Sequence, residues 1–289
     1  MTDQAGRLRE MVASAPRPMP ARARRSGRGT RSIAVTSGKG GVGKTNVALM
    51  LSVALADLGK KVLLLDADLG LASVHILLGL APKQNLSHVA AGRCEAADIV
   101  CEGPRGIGIV PGASGAELLA RMDSAGLERL QRRMAPLEEG YDFLIVDTSA
   151  GIGSVATRFA SSTDSVLVVM SPEPTALADA YAMIKVLSAA PKMRLWTLVN
   201  MAASDNEGAE AFDKLHSLVV QFLQRDVRLM GILPFDKEIP RLIRRQKLVL
   251  TEHPRHIVST RINGCARRLC GLPPRNDKGF FARLFGKTD

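Results

Sequence analysis

Short, largely apolar runs recur along the chain at residues 33–35 (IAV), 61–66 (KVLLLD), 107–111, 143–147 (FLIVD), 166–170, 195–200 (LWTLVN) and 229–234, three of them closed by a polar residue, Asp66, Asp147 and Asn200. Uninterrupted rather than alternating apolarity predicts strands buried on both faces, as in a parallel sheet. Helix-forming stretches separate them: one after the glycine-rich loop at 38–43, with Gly59 as its C-terminal cap, one around 118–137, and one starting near Thr175. Strand and helix in alternation give an open α/β fold, and such sheets bind ligands beyond the carboxyl ends of their strands. The polar residues that close the runs are therefore the candidates for chemistry.

The ends are patterned differently. Residues 3–12 place Ala5, Leu8 and Val12 at helical spacing, enough for a short amphipathic helix that is too short to be stable alone. Residues 14–31 hold Pro16, Pro18, Pro20, six arginines and no acid, which predicts an extended basic linker. At the other end, residues 271–279 form a second Pro, Gly and charge linker. Phe280, Phe281, Leu284 and Phe285 follow on one helical stripe, with Lys278, Arg283 and Lys287 around it. A mobile basic amphipathic helix of this kind suits an anionic membrane surface.

Gly38, Gly43, Lys44 and Thr45 fit G-x-x-x-x-G-K-[ST] between a strand and a helix, the context that this phosphate-binding motif requires. Gly38, Gly40, Gly41 and Gly43 let successive backbone N–H groups curl around an anion, and the helix N-terminus faces it. Lys44 reaches the β and γ phosphates, and the Thr45 hydroxyl ligates Mg²⁺. Asp66 and Asp68 lie at one strand end. On spacing alone they fit a helix N-cap as well as a carboxylate pair that holds a metal's water shell and orients an attacking water. Asp147 closes FLIVD in the Walker B manner, binding Mg²⁺ through water. Asn200, at another strand exit, has an amide able to donate to and accept from a base edge, although turn-forming asparagines are common there.

Composition adds limits. At 289 residues with 46% hydrophobic content, the chain suits one domain of about 240 residues plus tails. There is no apolar run of 18 residues and no secretory leader pattern, so a cytosolic protein is expected. Cys94, Cys101, Cys265 and Cys270 show no C-x-x-C spacing, which favours reduced thiols over zinc or an iron–sulfur cluster. The net charge is +11, with 8 basic and 2 acidic residues in 1–31, and 12 and 3 in 241–289. That leaves 19 basic against 23 acidic between them, so the basicity is assigned to the tails, which argues against direct nucleic-acid binding by the core.

KGGVGKT resembles the deviant Walker A signature of the MinD/ParA family of ATPases, in which the extra lysine, here Lys39, crosses a dimer interface to the partner's nucleotide. DADLGLAS and DTSAGI are similar to that family's switches I and II. By this match Asp68 acts on the hydrolytic water, Asp66 lies near the metal, and Gly151 supplies mobility. Ser73 and His75 stand where the family has Asn and Asp. Asn200 matches the base-recognition asparagine, and LPFD (Pro234, Phe235, Asp236) resembles the loop packed on the base. Val42 and Asn46 join the loop's nucleotide contacts. DQA-x-x-LR (Asp3, Gln4, Ala5, Leu8, Arg9) and SPEPTALADAYAMIKVL resemble segments of the FlhG family, also called FleN or YlxH, MinD-like ATPases that set flagellar number and placement. The end of the chain resembles the MinD membrane-targeting sequence.

The resemblance implies a P-loop NTPase of MinD/SIMIBI type, a largely parallel twisted sheet with helices on both faces, using ATP/ADP and Mg²⁺. Its parts are an activator helix at 1–12, a linker at 13–31, the ATPase domain at 32–270, and a linker with a membrane helix at 271–289. It implies a homodimer with ATP, contact with an FlhF-type SRP GTPase and with flagellar C-ring components, and reversible attachment to the cytoplasmic face of the inner membrane. MinD-type division-site and ParA-type partition ATPases are the alternatives.

Overall fold

The computed structural model describes residues 29–68, 74–112, 124–190, 193–271 and 280–285. In chain order these form β1 (Arg31–Thr36), α1 (Lys44–Asp57), β2 (Val62–Ala67), α2 (Val74–Leu77), α3 (Leu86–Ala90), β3 (Cys101–Glu102), β4 (Gly108–Val110), α4 (Ser124–Glu139), β5 (Phe143–Thr148), α5 (Ser154–Ser161) and β6 (Ser165–Met170). They continue with α6 (Pro174–Leu187), β7 (Arg194–Ala202), α7 (Asp205–Leu223), β8 (Arg228–Pro234), α8 (Glu238–Arg244), α9 (Val249–Glu252), α10 (Ile257–Cys270) and α11 (Phe280–Phe285). The activator residues Asp3, Gln4, Ala5, Leu8 and Arg9, the basic linker up to residue 28, Ser73 and most of switch I lie outside the described residues, as do residues 118–123 and 272–279.

The strands form one sheet in the order β3-β4-β2-β5-β1-β6-β7-β8. All pairings are parallel except that of β3 with β4 at the edge. Each apolar run of the sequence lies in one of these strands, and β1, β2, β5 and β6 are buried along nearly their whole length. Alternate residues face opposite layers. Ile33, Val35, Leu64, Ile145 and Leu198 pack under α1 and α10. Leu63, Leu65, Leu144 and Val146 pack under α4, α5 and α11. Ala34, Val166, Val168 and Val199 pack under α6 and α7. Helix α1 is buried along its length from Val47 to Leu55, with no polar face to show, because α10 covers the side turned away from the sheet.

The mobile amphipathic end expected from the sequence is corrected here: α11 is docked. Phe280, Phe281, Leu284 and Phe285 are all buried against Met134, Phe159 and the sheet. The Phe280 and Phe281 rings meet edge to face at 5.1 Å, and Phe281 stacks on Phe285 at 6.0 Å. Glu138, on α4, accepts the backbone N–H groups of Phe280 (2.5 Å) and Phe281 (3.3 Å) at the helix N-terminus. Burial pushes the Glu138 carboxyl up, an effect the two N–H groups and Arg283 only partly oppose. Arg283 pairs with Asp164 (3.1 Å) and donates to Ser32 Oγ (2.9 Å) and the Ser162 carbonyl (2.7 Å). Arg158 donates to the carbonyl of Leu284 at the other end. An apolar stripe on a helix states only that one face needs cover. Here the groove between α4 and α5 supplies it.

The placement of charge is also corrected. Of the twelve basic residues after position 240, Arg241, Arg244, Arg245, Lys247, Arg255, Arg261, Arg267 and Arg268 lie on or between α8 and α10, with two acids, Glu238 and Glu252, on the same elements. Much of the positive charge therefore belongs to the folded domain rather than to a tail, and part of it is paired there, Arg241 with Glu238, Lys247 with Glu252 and Arg261 with Asp205. The argument from tail-borne charge against a nucleic-acid partner falls with it.

Candidate nucleotide site

The loop between β1 and α1 sits at the centre of the sheet, because β1 is flanked by β5 and β6. Gly41 and Gly43 hold positive φ angles, 81° and 83°, which an L side chain rarely adopts. No side chain caps α1 and no acid occupies its first turn. Its leading N–H groups are thus available to an anion, on the positive end of the helix dipole. Gly38 serves a second purpose that the motif does not announce: a Cβ there would collide with the backbone carbonyl of Asp179 on α6. Gly40, by contrast, faces open space.

Lys44 is buried and its Nζ lies 2.9 Å from Asp147 Oδ1, the carboxylate at the end of β5. Burial pushes the Asp147 carboxyl up, while the Lys44 ammonium and the Thr45 hydroxyl pull it down. Its second oxygen, Oδ2, is buried without a well-aligned hydrogen-bond partner. An unmatched buried carboxylate oxygen near Thr45 is a donor set that fits hydrated Mg²⁺. When bound, the ion neutralises phosphate charge.

Asp66, in register with Asp147 across β2 and β5, is buried. Its two oxygens accept the N–H groups of Asp68 (3.1 Å) and Val74 (3.1 Å). It straps together the two described ends of the switch I segment, and each oxygen has a second lone pair that a hydrated cation could use. Asp68 is half-buried at the strand end, as the sequence placed it. Switch II is tied to the loop by the Gly151 N–H donating to the Ser37 carbonyl (2.9 Å), with Gly151 at φ 87°.

Lys39 lies on the rim of a cleft of ≈ 820 Å³ that it shares with Gly40, Gly41, Glu173, Met201 and Phe235. A smaller cavity of ≈ 60 Å³ adjoins it through Met201 and Phe235 and is lined by Asn46, Met50, Asn200, Pro234, Asp236, Ile239 and Ile243. Asn200 Nδ2 donates to the Val42 carbonyl (2.8 Å), so this side chain spans from β7 to the phosphate loop. Asp236 accepts the Glu238 N–H (2.7 Å) and bonds His256 Nε2 (3.0 Å). The Glu238 N–H is the largest cause holding its carboxyl below the usual range. His256 Nδ1 in turn accepts the Val258 N–H and caps α10. Phe235 is 55% exposed and forms an open wall.

The sequence reading missed Met201, Met50, Ile239, Ile243 and His256. Met201 is the one with a structural signature, a non-glycine residue at φ 60°, of the kind that clusters at functional sites. All four cysteines are free thiols, and burial pushes Cys265 up to about 11.

Residues 30–200 match the family described as an AAA domain. The septum site-determining protein MinD complexed with Mg-ADP from Pyrococcus horikoshii superposes with a TM-score of 0.68 at 26% identity, covering 84% of this chain and 96% of that one. Fold and loop together define a P-loop ATPase of the MinD type. The antiactivator FleN of Pseudomonas aeruginosa is 42% identical over 249 residues, 86% of this chain and 89% of the relative. The flagellum site-determining protein YlxH of Helicobacter pylori is 33% identical over 268 residues, 88% and 90% respectively. The chain belongs to the FleN/YlxH family of MinD-type ATPases.

The two glycines at the head of the loop separate packing from phosphate binding. Gly38→Ala is expected to lower stability by about 1–3 kcal/mol without any nucleotide present, since it overpacks the loop against α6. Gly40→Ala should melt as wild type does. Thermal melts of the nucleotide-free proteins check this, and equal melting of the two variants would refute it.

Proposed function

We propose that this chain is an ATP-driven switch that pairs with a second copy when ATP is bound, hydrolyses it in that state, and regulates flagellar number and placement. One observation carries the reading. A single loop presents a buried lysine, Lys44, inward on Asp147 and a second, partly exposed lysine, Lys39, outward on the cleft rim. Exposed Met201 and Phe235 border the same cleft, as apolar side chains at a docking face do. The flagellar role is carried over from FleN and YlxH by identity. Mg²⁺ is supported by the Asp147 and Thr45 donor set and by the Mg-ADP bound to P. horikoshii MinD. Lys44 holds phosphate charge, Asp147 and Thr45 hold the ion, Asp66 positions switch I, and Asp68 orients the attacking water. Asn200 and the 234–236 loop hold the base. The activator segment at Asp3, Gln4, Ala5, Leu8 and Arg9 is assigned to an FlhF-type GTPase, and C-ring components are the further partners.

With ATP, Lys39→Ala should remain a monomer, whereas Asp68→Ala should accumulate as a dimer with little hydrolysis. Size-exclusion with light scattering decides. Wild-type protein that turns over ATP while staying monomeric at every concentration contradicts the reading.

No helix among the described residues is long and apolar enough to cross a membrane. Attachment to an anionic surface through Phe280, Phe281, Leu284 and Phe285 therefore requires α11 to leave its groove. Glu138→Ala strands two N–H groups at the helix start, a loss of about 1–2 kcal/mol. It should raise trypsin cleavage after Arg283 and increase sedimentation with anionic liposomes. Faster cleavage with unchanged sedimentation would remove the membrane assignment and leave α11 a structural element.

A further inference from the structure

The outward lysine of the loop is not free in this structure. Lys39 Nζ is held within its own chain by Glu173 Oε2 at 2.9 Å and by Thr175 Oγ1 at 3.1 Å. Two of the three ammonium donors are thereby directed to the start of α6. The acceptors are rigidly displayed. Glu173 lies between Pro172 and Pro174 and stands at the N-cap position of α6, with Pro174 and Thr175 opening the helix. The loop and this helix are also in close contact, because Gly38 packs directly on the α6 backbone at Asp179. Release of Lys39 is therefore a side-chain rotation and asks no backbone change of the loop.

We propose that Glu173, assisted by Thr175, is a positioning residue that holds Lys39 in its own subunit, so that pairing of two copies requires this contact to be exchanged for the partner's nucleotide. The inference rests on the assignment of Lys39 as the residue that crosses between subunits. The pair is partly exposed, 41% at Lys39 and 63% at Glu173, so it is weak and readily exchanged. Weakness is what a threshold needs: the phosphate groups of a bound nucleotide outcompete one exposed carboxylate, whereas an empty partner site offers no competing charge. Each dimer breaks two such contacts, so their effect on the dimer constant enters squared. The contact also makes the SPEP loop more than a wall of the cleft.

The test is the dimer dissociation constant with saturating ATP, measured by sedimentation or light scattering over a protein dilution series. Wild type, Glu173→Gln and Thr175→Val are compared, each checked for melting temperature and for ATP affinity at monomer concentrations. Glu173→Gln is expected to tighten the dimer by about two- to thirty-fold, twice the logarithmic effect of one exposed ion pair. Thr175→Val should shift it in the same direction by less, with melting unchanged, and the dimer constants are compared at equal nucleotide occupancy set from each protein's monomer ATP affinity. At about 0.5 M salt, where an exposed contact is largely screened, the gap between wild type and Glu173→Gln should close. If wild type dimerises and Glu173→Gln is equal or weaker, the inference is overturned while the switch reading stands. If no variant and no wild type dimerises with ATP, both fall.

Discussion

The buried ion pair between Lys44 and Asp147 is the constraint on which the site depends. It joins the first turn of α1 to the end of β5, 103 residues away, with both groups removed from water. Removing one partner of such a pair leaves a buried charge unmatched and costs about 3–5 kcal/mol. A nucleotide phosphate for Lys44 and a hydrated cation for Asp147 is therefore an exchange that keeps every charge matched. In the proposed switch, the lysine assigned to phosphate rests on the carboxylate assigned to the cation until ligand offers each its own partner. At the rim Lys39 likewise rests on a carboxylate of its own chain, Glu173. Around both pairs, the parallel strand order brings β1, β2 and β5 side by side, so that loop, switch I and switch II emerge at one edge.

On the far side of the sheet, α11 ties the end of the chain to that same framework. Arg283 reaches Asp164 and Ser32, and the Asp164 carboxylate also accepts the Ser32 N–H at the start of β1. Glu138 caps the helix from α4. Apolar cover, a capping carboxylate and an arginine network thus act together on six residues, too few to be helical unaided. A helix held in this way is either a fixture of the fold or a membrane anchor kept from its lipid.

The nucleotide loop, the strands that precede each acidic or amide residue, and the parallel sheet were legible because local chemistry and apolar runs coincide there. Asn200 lies not at the strand exit but two residues before the end of β7, beside a register irregularity with β8, and its amide donates to the Val42 carbonyl. Other features depend on residues remote in sequence. Nothing near Phe280 discloses Glu138, so a stripe of phenylalanines read the same for a lipid surface as for a groove. Gly38 looks like a phosphate-loop glycine until Asp179 is placed beside it. Nothing near Asp66 in the sequence discloses that its two oxygens accept the N–H groups of Asp68 and Val74. The basic residues from Arg241 to Arg268 looked like a tail because charge was counted by position, not by helix face. The reversed edge strand at Cys101–Glu102 is too short for any pattern to register.

The central claim is that ATP turnover belongs to a pair of copies and not to one. Its most direct test is the steady-state hydrolysis rate per protein molecule at saturating ATP, measured across a wide range of protein concentration. The account predicts a specific activity that rises with protein concentration and then levels off as dimer saturates. A specific activity independent of concentration down to amounts where the protein is wholly monomeric would contradict it.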